Sequence, residues 1–228
     1  MRYAIYFTPP QGSALTRAAE SWLGYSAFTG AASAIPAERE AVTVSARRYG
    51  FHATLKAPFR MADGVSEAEL LDAFENWTVT QTAFTGPRLV IEQIDGFFAL
   101  VPKARNEALD AFARDVVIEF EPFRAPLTAD DMSRRNPDRL TSAERDMLEA
   151  YGYPYVLDEF RFHMTLTDRI PEADAPQMRA RLEEHFRASI EEPIAISSLA
   201  LFVEPEPGAP FRVRAFHDLA SQSMRKTA

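Results

Sequence analysis

A five-residue pattern occurs twice in the chain, and it constrains the fold more than any other feature of the sequence. Phe-His-Ala-Thr-Leu at residues 51–55 is followed, at residues 162–166, by Phe-His-Met-Thr-Leu, with four of the five positions identical. Histidine is scarce, since the 228 residues include four, and two of these lie in the pattern. The repetition favours a fold in which two similar strands carry the same chemical groups.

The spacing within each pattern predicts two polar side chains on one face of a strand. Because alternate residues of a strand share a face, His52 and Thr54 point one way, as do His163 and Thr165. If the two strands lie near a pseudo-two-fold axis, two imidazoles and two hydroxyls meet in one cleft. Two histidines can act as general base and general acid on one phosphoryl centre, since histidine changes charge near neutral pH. A single His-x-Thr is usually structural, but the matched pair favours catalysis.

Cations close to the two patterns suggest an anionic ligand. Lys56 continues the face of His52 and Thr54, and Arg161 flanks His163, so both are candidate phosphate-binding residues. Residues 41–62 contain no acidic residue but four basic ones, in a chain of 25 basic and 33 acidic residues. The alternative interpretation, that Lys56 and Arg161 mark solvated strand ends, stays open. Gly50 is expected to leave room for the ligand.

Strand and helix signals alternate irregularly along the chain, which predicts an α+β fold rather than a doubly wound parallel sheet. Capping residues followed by apolar stripes predict the helices. Asp95-Gly96 predicts a hairpin turn. The predicted strands are residues 2–7, 49–56, 88–94, 97–102, 160–167, 194–203 and 211–216. The predicted helices are residues 13–23, 66–79, 106–117, 141–151 and 173–189, with residues 24–46 and 124–139 expected to be irregular.

Composition excludes several classes of protein. The chain is 46% hydrophobic, too apolar for a disordered chain, and no run approaches the roughly 20 apolar residues of a membrane helix. The apolar segment at residues 3–7 is too short for a signal peptide, so we expect a cytoplasmic location. The absence of cysteine removes thiolate chemistry and cysteine-based zinc sites, so we expect no metal and no cofactor. A net charge of −8 disfavours long nucleic acids as partners. No long linker divides residues 1–228, which predicts one unit with two lobes.

Several other residues have two open interpretations. Arg134, Arg135 and Arg139 form either a lid that closes on an anionic substrate or an ordinary charged loop. Four tyrosines either stack on a substrate or pack in the core: Tyr6, Tyr151, Tyr153 and Tyr155. His185 and His217 lack a partner pattern and are expected to be structural or exposed.

The paired His-x-Thr motifs resemble those of the two-histidine (2H) phosphoesterase superfamily. More closely, residues 3–7, residues 49–59 and the segments 152–155 and 160–167 resemble the DUF1045 family, a 2H branch associated with phosphonate metabolism. The resemblance covers about residues 2–220. It implies a bilobed fold of two antiparallel sheets with helices on the outside and a central cleft. It also implies metal-independent cleavage of a cyclic phosphate ester, with His52, Thr54, His163 and Thr165 at the motif positions.

The sequence thus predicts a phosphodiesterase that hydrolyses a small cyclic phosphate on a ribose or a nucleotide. The resemblance extends this to a phosphoribosyl cyclic phosphate in phosphonate use. Two alternatives remain: an enzyme that processes RNA 2′,3′-cyclic or 2′-5′ ends, and a non-catalytic protein that binds a phosphorylated metabolite. Which histidine is the base and which the acid stays open.

Overall fold

A computed structural model describes residues 1–221, and it contains nine strands and eight α-helices within that range. The strands are β1 (Arg2–Phe7), β2 (Ala53–Phe59), β3 (Phe84–Thr85), β4 (Leu89–Ile94), β5 (Phe97–Pro102), β6 (Met164–Arg169), β7 (Ala195–Ile196), β8 (Ser198–Glu204) and β9 (Arg212–Asp218). The helices are α1 (Ala14–Leu23), α2 (Ala37–Glu40), α3 (Val44–Tyr49), α4 (Glu67–Thr78), α5 (Glu107–Glu119), α6 (Ala129–Arg134), α7 (Ser142–Tyr151) and α8 (Ala175–Phe186).

Seven strands form one antiparallel sheet in the order β4-β5-β6-β2-β1-β8-β9, and β3 pairs with β7 in a second, two-stranded antiparallel sheet. Within residues 1–221, β2 and β6 are joined by one residue pair, Ala53 with Met164, whereas β1 and β8 are joined by five. The larger sheet therefore has two parts, which we call lobes, β4-β5-β6 and β2-β1-β8-β9. The predicted α+β class, with two antiparallel sheets and helices, is confirmed.

One hydrophobic core lies under both lobes. It includes Phe7 of β1, Leu100 of β5, Leu166 of β6 and Leu201 of β8, none of them accessible to solvent. Burial of such side chains stabilises each by about 1.5–3 kcal/mol relative to exposure. That the whole of residues 1–228 is one unit stays a prediction, since residues 222–228 lie outside the described range.

The local signals of the sequence position most of the helices. Ser66 and Glu69 form a capping box at α4, and Thr141 and Glu144 form another at α7. In each box the side chain of the cap accepts a bond from the third helical N–H group, which would otherwise lack a partner. Asp95-Gly96 forms the predicted turn of the β4–β5 hairpin.

Two segments that were expected to be irregular contain short helices. Residues 24–46 include α2 and the start of α3, and residues 124–139 include α6. Helices of four to six residues are too short to show a 3.6-residue periodicity in the sequence. Helix α3 extends to Tyr49 and is followed by a turn. The strand β2 therefore begins at Ala53 rather than at residue 49, where the sequence predicted it to begin.

Gly50 has a different role from the one expected. Its φ of +72° is a conformation that side chains disfavour, and a Cβ there would lie 2.7 Å from the Cβ of Ala27. The glycine therefore allows the turn from α3 into β2 and the close approach of residue 27, and the prediction that it makes room for a ligand is wrong.

No helix in residues 1–221 has the length and apolar character needed to cross a bilayer.

Candidate active site

A cavity of about 460 Å³ opens where the two lobes meet. His52, Thr54, His163 and Thr165 all line it, and each of these side chains is partly exposed. The structure therefore brings the four motif residues to one place, as expected if the strands of the two motifs lie side by side.

The pairing of β2 with β6 explains how two distant motifs meet. Ala53 pairs with Met164, and both are fully buried on the core side. In each motif the histidine precedes the paired residue and the threonine follows it. Antiparallel register thus sets each histidine opposite the threonine of the other motif. A local two-fold axis passes through the Ala53–Met164 pair and relates the two motifs.

The ring of His52 is held on three sides. Its Nδ1 lies 2.9 Å from the carbonyl oxygen of Gly50, and its Nε2 lies 3.2 Å from the hydroxyl of Thr54. The ring of Tyr6 stacks on it, with centroids 3.8 Å apart and an interplanar angle of 19°. Burial lowers the pKa of His52 to about 4, the Gly50 carbonyl opposes that shift, and a charge on His163 adds to it.

His163 has fewer neighbours. Its Nδ1 lies 2.8 Å from the carbonyl oxygen of Arg161, and its ring centroid lies 5.9 Å from that of Phe97. Burial is the largest cause that lowers the pKa of His163. The carbonyl bond opposes the shift, and the positive charge of Arg161 adds to it.

The two backbone carbonyls determine which ring nitrogen each histidine presents to the cavity. A carbonyl oxygen only accepts hydrogen bonds, so Nδ1 of both rings carries a proton and donates it. This assigns the free lone pair of each neutral ring to Nε2. The pair can thus take up a proton at one Nε2 and release a proton at the other, within one cavity.

Lys56 does not lie in the cavity, so the prediction that it shares the face of His52 and Thr54 is wrong. Its ammonium group is buried, 2.7 Å from a carboxylate oxygen of Glu121 and 3.2 Å from the carbonyl of Val117. The cause is a β-bulge: Tyr6 pairs with Thr54, but the preceding residue, Ile5, pairs with Lys56. The extra residue on β2 moves the side chains after Thr54 to the opposite faces.

Arg161 lies close to His163 but its side chain points elsewhere. The side chain is 62% exposed, and its guanidinium lies 3.8 Å from a carboxylate oxygen of Glu144 and stands over the ring of Tyr155. It is not among the described residues that line the cavity. Its backbone carbonyl orients His163 and its charge lowers the pKa of that histidine, while a role in binding phosphate stays a prediction.

The residues with two interpretations separate clearly. Arg135 lines the cavity, whereas the guanidinium of Arg134 pairs with Asp131. Tyr6 and Tyr153 line the cavity; Tyr151 and Tyr155, within the described range, do not. Of the other histidines, His185 bonds the carbonyl of Ala18, and the ring of His217 packs against Phe74.

Several lining residues carry little signal in the sequence. The cavity also includes Arg2, Ser45, Tyr49, Phe97, Asp168 and Arg169. Asp168 accepts hydrogen bonds from the N–H of Ser45 at 3.0 and 3.2 Å, which connects β6 to the start of α3. These residues come together through strand register and the short helix α3, neither of which the sequence predicted. Within residues 1–221, no group of three or more potential metal-ligating side chains of His, Cys, Asp or Glu is found.

Two proteins called ribose 1,5-bisphosphate phosphokinase PhnN are similar to the chain in sequence. The protein from Janthinobacterium sp. (strain Marseille) is 36% identical over 225 residues, which cover 92% of this chain and 49% of the relative. The protein from Laribacter hongkongensis (strain HLHK9) is 35% identical over 219 residues, covering 93% and 50%. The chain thus spans about half the length of the curated relatives it matches.

Solved structures are similar at a lower level. A structure of E. coli LigT complexed with 3′-AMP has a TM-score of 0.45 and 13% identity, covering 96% of this chain and 98% of that chain. A structure described as a phosphoesterase has a TM-score of 0.44 and 12% identity, with the same coverage.

The model of the family described as "Protein of unknown function (DUF1045)" matches residues 54–212. That match spans more than half of the chain and includes Thr54 and the whole second motif, so the chain belongs to the DUF1045 family.

Proposed function

We propose that the chain is a phosphodiesterase that hydrolyses a small cyclic phosphate ester with two histidines as base and acid. The observation that carries the proposal is the matched orientation of His52 and His163. Each donates Nδ1–H to a backbone carbonyl and presents Nε2 to the same cavity. A protein that only binds a phosphate does not require two proton-transfer groups, so this arrangement favours the enzyme over the non-catalytic alternative.

The hydrolysis needs one proton to be taken up and one to be given. A water molecule attacks phosphorus, and the neutral Nε2 of one histidine accepts its proton. The protonated Nε2 of the other donates a proton to the leaving ribose oxygen as the P–O bond of the ring breaks. The product is a phosphate monoester with a free hydroxyl. The hydroxyls of Thr54 and Thr165 donate hydrogen bonds to the non-bridging oxygens, whose negative charge strengthens such bonds.

The lower pKa of His52 suits it to the role of base. At a pKa of about 4 it is neutral at pH 7, and its Nε2 can accept a proton from water once the hydroxyl of Thr54 turns from Nε2 to the bound phosphate. His163 is then the acid, and a phosphate anion bound between the rings favours its protonated form. The proposal uses this chain's own side chains and no metal or cofactor.

The substrate we propose is a cyclic phosphate of a ribose, in agreement with the phosphonate context of the family resemblance. The name of the two relatives supports a ribose carrying phosphate groups, because opening a phosphoribosyl cyclic phosphate yields a ribose with two phosphate monoesters. The cavity volume of about 460 Å³ is suited to a ligand of that size. The alternative of an RNA-end enzyme requires the chain beyond the terminal nucleotide to be bound as well.

The test is hydrolysis of a panel of cyclic phosphates, from ribose to a ten-nucleotide RNA with a 2′,3′-cyclic end, in the presence of EDTA. We expect turnover of the smallest compounds, and a fall in rate of roughly 10²–10⁴-fold on changing His52 or His163 to alanine. His217→Ala serves as the control, since His217 lies outside the cavity.

Three outcomes contradict the proposal. Full activity of either histidine variant would mean that the proton-transfer roles are wrong. Activity lost in EDTA and restored by a divalent cation would mean metal-dependent chemistry. Affinity that climbs steeply as the RNA lengthens, and falls steeply with salt, would favour the RNA-end enzyme.

A further inference from the structure

The cavity extends beyond the histidines to a group of three tyrosines. Tyr6, Tyr49 and Tyr153 all line it, and among residues 1–221 no hydrogen bond to their hydroxyl groups is found. Tyr6 is stacked under His52, and the ring of Tyr49 lies 6.3 Å from that of His52. Tyr6 is almost fully buried, whereas Tyr49 and Tyr153 are half-buried, so a polar ligand in the cavity can take the place of water at these hydroxyls.

Arg135 adds a positive charge to this group. It follows α6 directly, and its guanidinium carbon stands 5.0 Å from the centroid of the Tyr153 ring. In the described part of the chain it forms no ion pair with a carboxylate, although the adjacent Arg134 does, with Asp131. A guanidinium that lines a cavity and lacks a carboxylate is suited to binding an anion.

The other charged residues that line the cavity belong to one triad and one pair. Arg2 and Arg48 both pair with the buried carboxylate of Glu204, which leaves that triad with one net positive charge. Asp168 and Arg169 both line the cavity on the side of β6, where their charges cancel. The excess positive charge at the cavity therefore lies with Arg135 and with the Arg2–Arg48–Glu204 triad, of which Arg2 lines the cavity.

The tyrosines and arginines of the cavity lie close enough to influence one another's protonation. The charges of Arg2 and Arg135 both lower the pKa of Tyr6, while Tyr49 and Tyr153 raise it. Burial is nevertheless the largest cause and holds the pKa of Tyr6 well above its usual value, and burial also raises the pKa of Tyr153. Both hydroxyls thus keep their protons near neutral pH and are able to donate them to an anion.

We propose that Tyr6, Tyr49, Tyr153, Arg2 and Arg135, here named the tyrosine–arginine cluster, bind a second phosphate group of the substrate. The inference rests on the proposed function for the first phosphate, the cyclic ester held between the histidines. It narrows the substrate class to cyclic phosphates that carry a terminal phosphate monoester elsewhere on the same small molecule. Arg135 is then the principal specificity-determining residue, because it has no protein carboxylate to neutralise it.

The test compares two ribose 1,2-cyclic phosphates that differ only in a phosphate on the 5-hydroxyl. In the unmodified protein, kcat/KM is expected to be about 10- to 100-fold higher for the phosphorylated compound, the effect of one or two charged hydrogen bonds. Arg135→Gln lowers kcat/KM for the phosphorylated compound about 10- to 100-fold more than for the other compound, so that the preference is lost. Tyr153→Phe, which keeps the ring, reduces the preference by a smaller factor.

Arg134→Gln is the matched control, because Arg134 precedes Arg135 but pairs with Asp131 outside the cavity. Thermal melting of each variant establishes that it is folded. Hydrolysis of both compounds at equal kcat/KM, insensitive to Arg135→Gln, would overturn the second phosphate site and leave the proposed function intact.

Calorimetric binding of the two compounds separates the inference from the proposed function. If neither compound is hydrolysed, but the phosphorylated one binds more tightly and loses that advantage in Arg135→Gln, the cluster is supported and the proposed function is not. Failure of the phosphorylated compound to bind, or binding unchanged by Arg135→Gln, would overturn the cluster.

Discussion

The two His-x-Thr motifs are nearly identical in sequence but lie in unequal surroundings. His52 is stacked on Tyr6 at 3.8 Å and hydrogen-bonded to Thr54, whereas the aromatic neighbour of His163, Phe97, is 5.9 Å away. Two motifs that share four of five residues therefore give two rings with different tendencies to bind a proton. A repeated motif fixes which groups meet, while the neighbouring strands determine what each group does.

The residue after each motif shows the same contrast. On β6 the alternation continues, so Thr167 still lines the cavity, and its buried hydroxyl accepts a bond from the N–H of Phe98. On β2 a bulge interrupts the alternation, and Lys56 pairs with Glu121 beneath the sheet. As a result, Lys56 of the lobe β2-β1-β8-β9 does not bring its charge to the cavity.

The sharpest test of the difference in proton binding between His52 and His163 is the pH dependence of variants that lack one of the two histidines. With His52 as base and His163 as acid, kcat/KM requires His52 neutral, above pH about 4, and His163 protonated, below its lowered pKa. We expect a bell-shaped profile whose acidic limb lies near pH 4 and whose alkaline limb lies below the usual pKa of histidine. The residual activity of His52→Ala should fall about tenfold per pH unit on the alkaline side, with no acidic limb.

His163→Ala should do the opposite, keeping the acidic limb near pH 4 and losing the alkaline one. The measurement is kcat/KM for one cyclic phosphate from pH 3.5 to 9. Exchanged limbs would mean that His163 is the base and His52 the acid. Two unaltered bells would mean that other groups titrate.

The second test concerns the different positions of Lys56 and Thr167. Glu121→Gln leaves the buried ammonium of Lys56 without a carboxylate, and we expect the free energy of unfolding to fall by about 1–3 kcal/mol. This is less than for a fully buried pair, because the Glu121 side chain is 25% exposed. Urea denaturation measures the loss, with Glu119→Gln, an exposed position of α5, as the control.

Activity provides the other half of that test. The folded fraction of Glu121→Gln should keep the kcat/KM of the unmodified protein within about twofold. If Lys56→Met folds normally yet loses activity, Lys56 contributes to the phosphate site after all and the bulge is misassigned.

The smallest expected difference lies between the two threonines. Thr54→Val and Thr165→Val should each lower kcat/KM about 2- to 10-fold, because each removes one hydrogen bond and no proton carrier. Thr54 also donates to the neutral Nε2 of His52. Its loss removes a bond to the neutral form, so the pKa of His52 rises and the acidic limb moves to higher pH.

Thr165→Val should leave that limb in place, since no such bond connects Thr165 to His163 within residues 1–221. Equal shifts in the two variants, measured on the same pH–rate profiles, would contradict the asymmetry of the motifs.

Local chemistry made much of the fold predictable. Capping boxes at Ser66 and Thr141 and the Asp95-Gly96 turn act within a few residues, so the sequence alone predicts where they begin and end. The shared face of the histidine and the threonine within each motif was predictable from alternation along a strand. That the two motifs meet depends in addition on the pairing of β2 with β6, which the sequence analysis could state only as a condition.

The remainder of the site depends on distant parts of the chain. The bulge that removes Lys56 from the cavity comes from the register between β2 and β1, which neither strand reveals by itself. Arg2 and Arg135 reach the same cavity from β1 and from the residue after α6, so only the folded chain brings them together. The short helices α2, α3 and α6 were missed because four to six residues carry no clear period.

Within residues 1–221, the single residue pair between β2 and β6 makes the junction of the two lobes the most weakly bonded part of the larger sheet, beside the candidate active site. The other neighbouring strands of the sheet are joined by several residue pairs each, but β2 and β6 are joined by Ala53 and Met164. A ligand that touches both histidines and both threonines touches both lobes at once. Such a ligand would add bonds between the two lobes to the few that the strands provide.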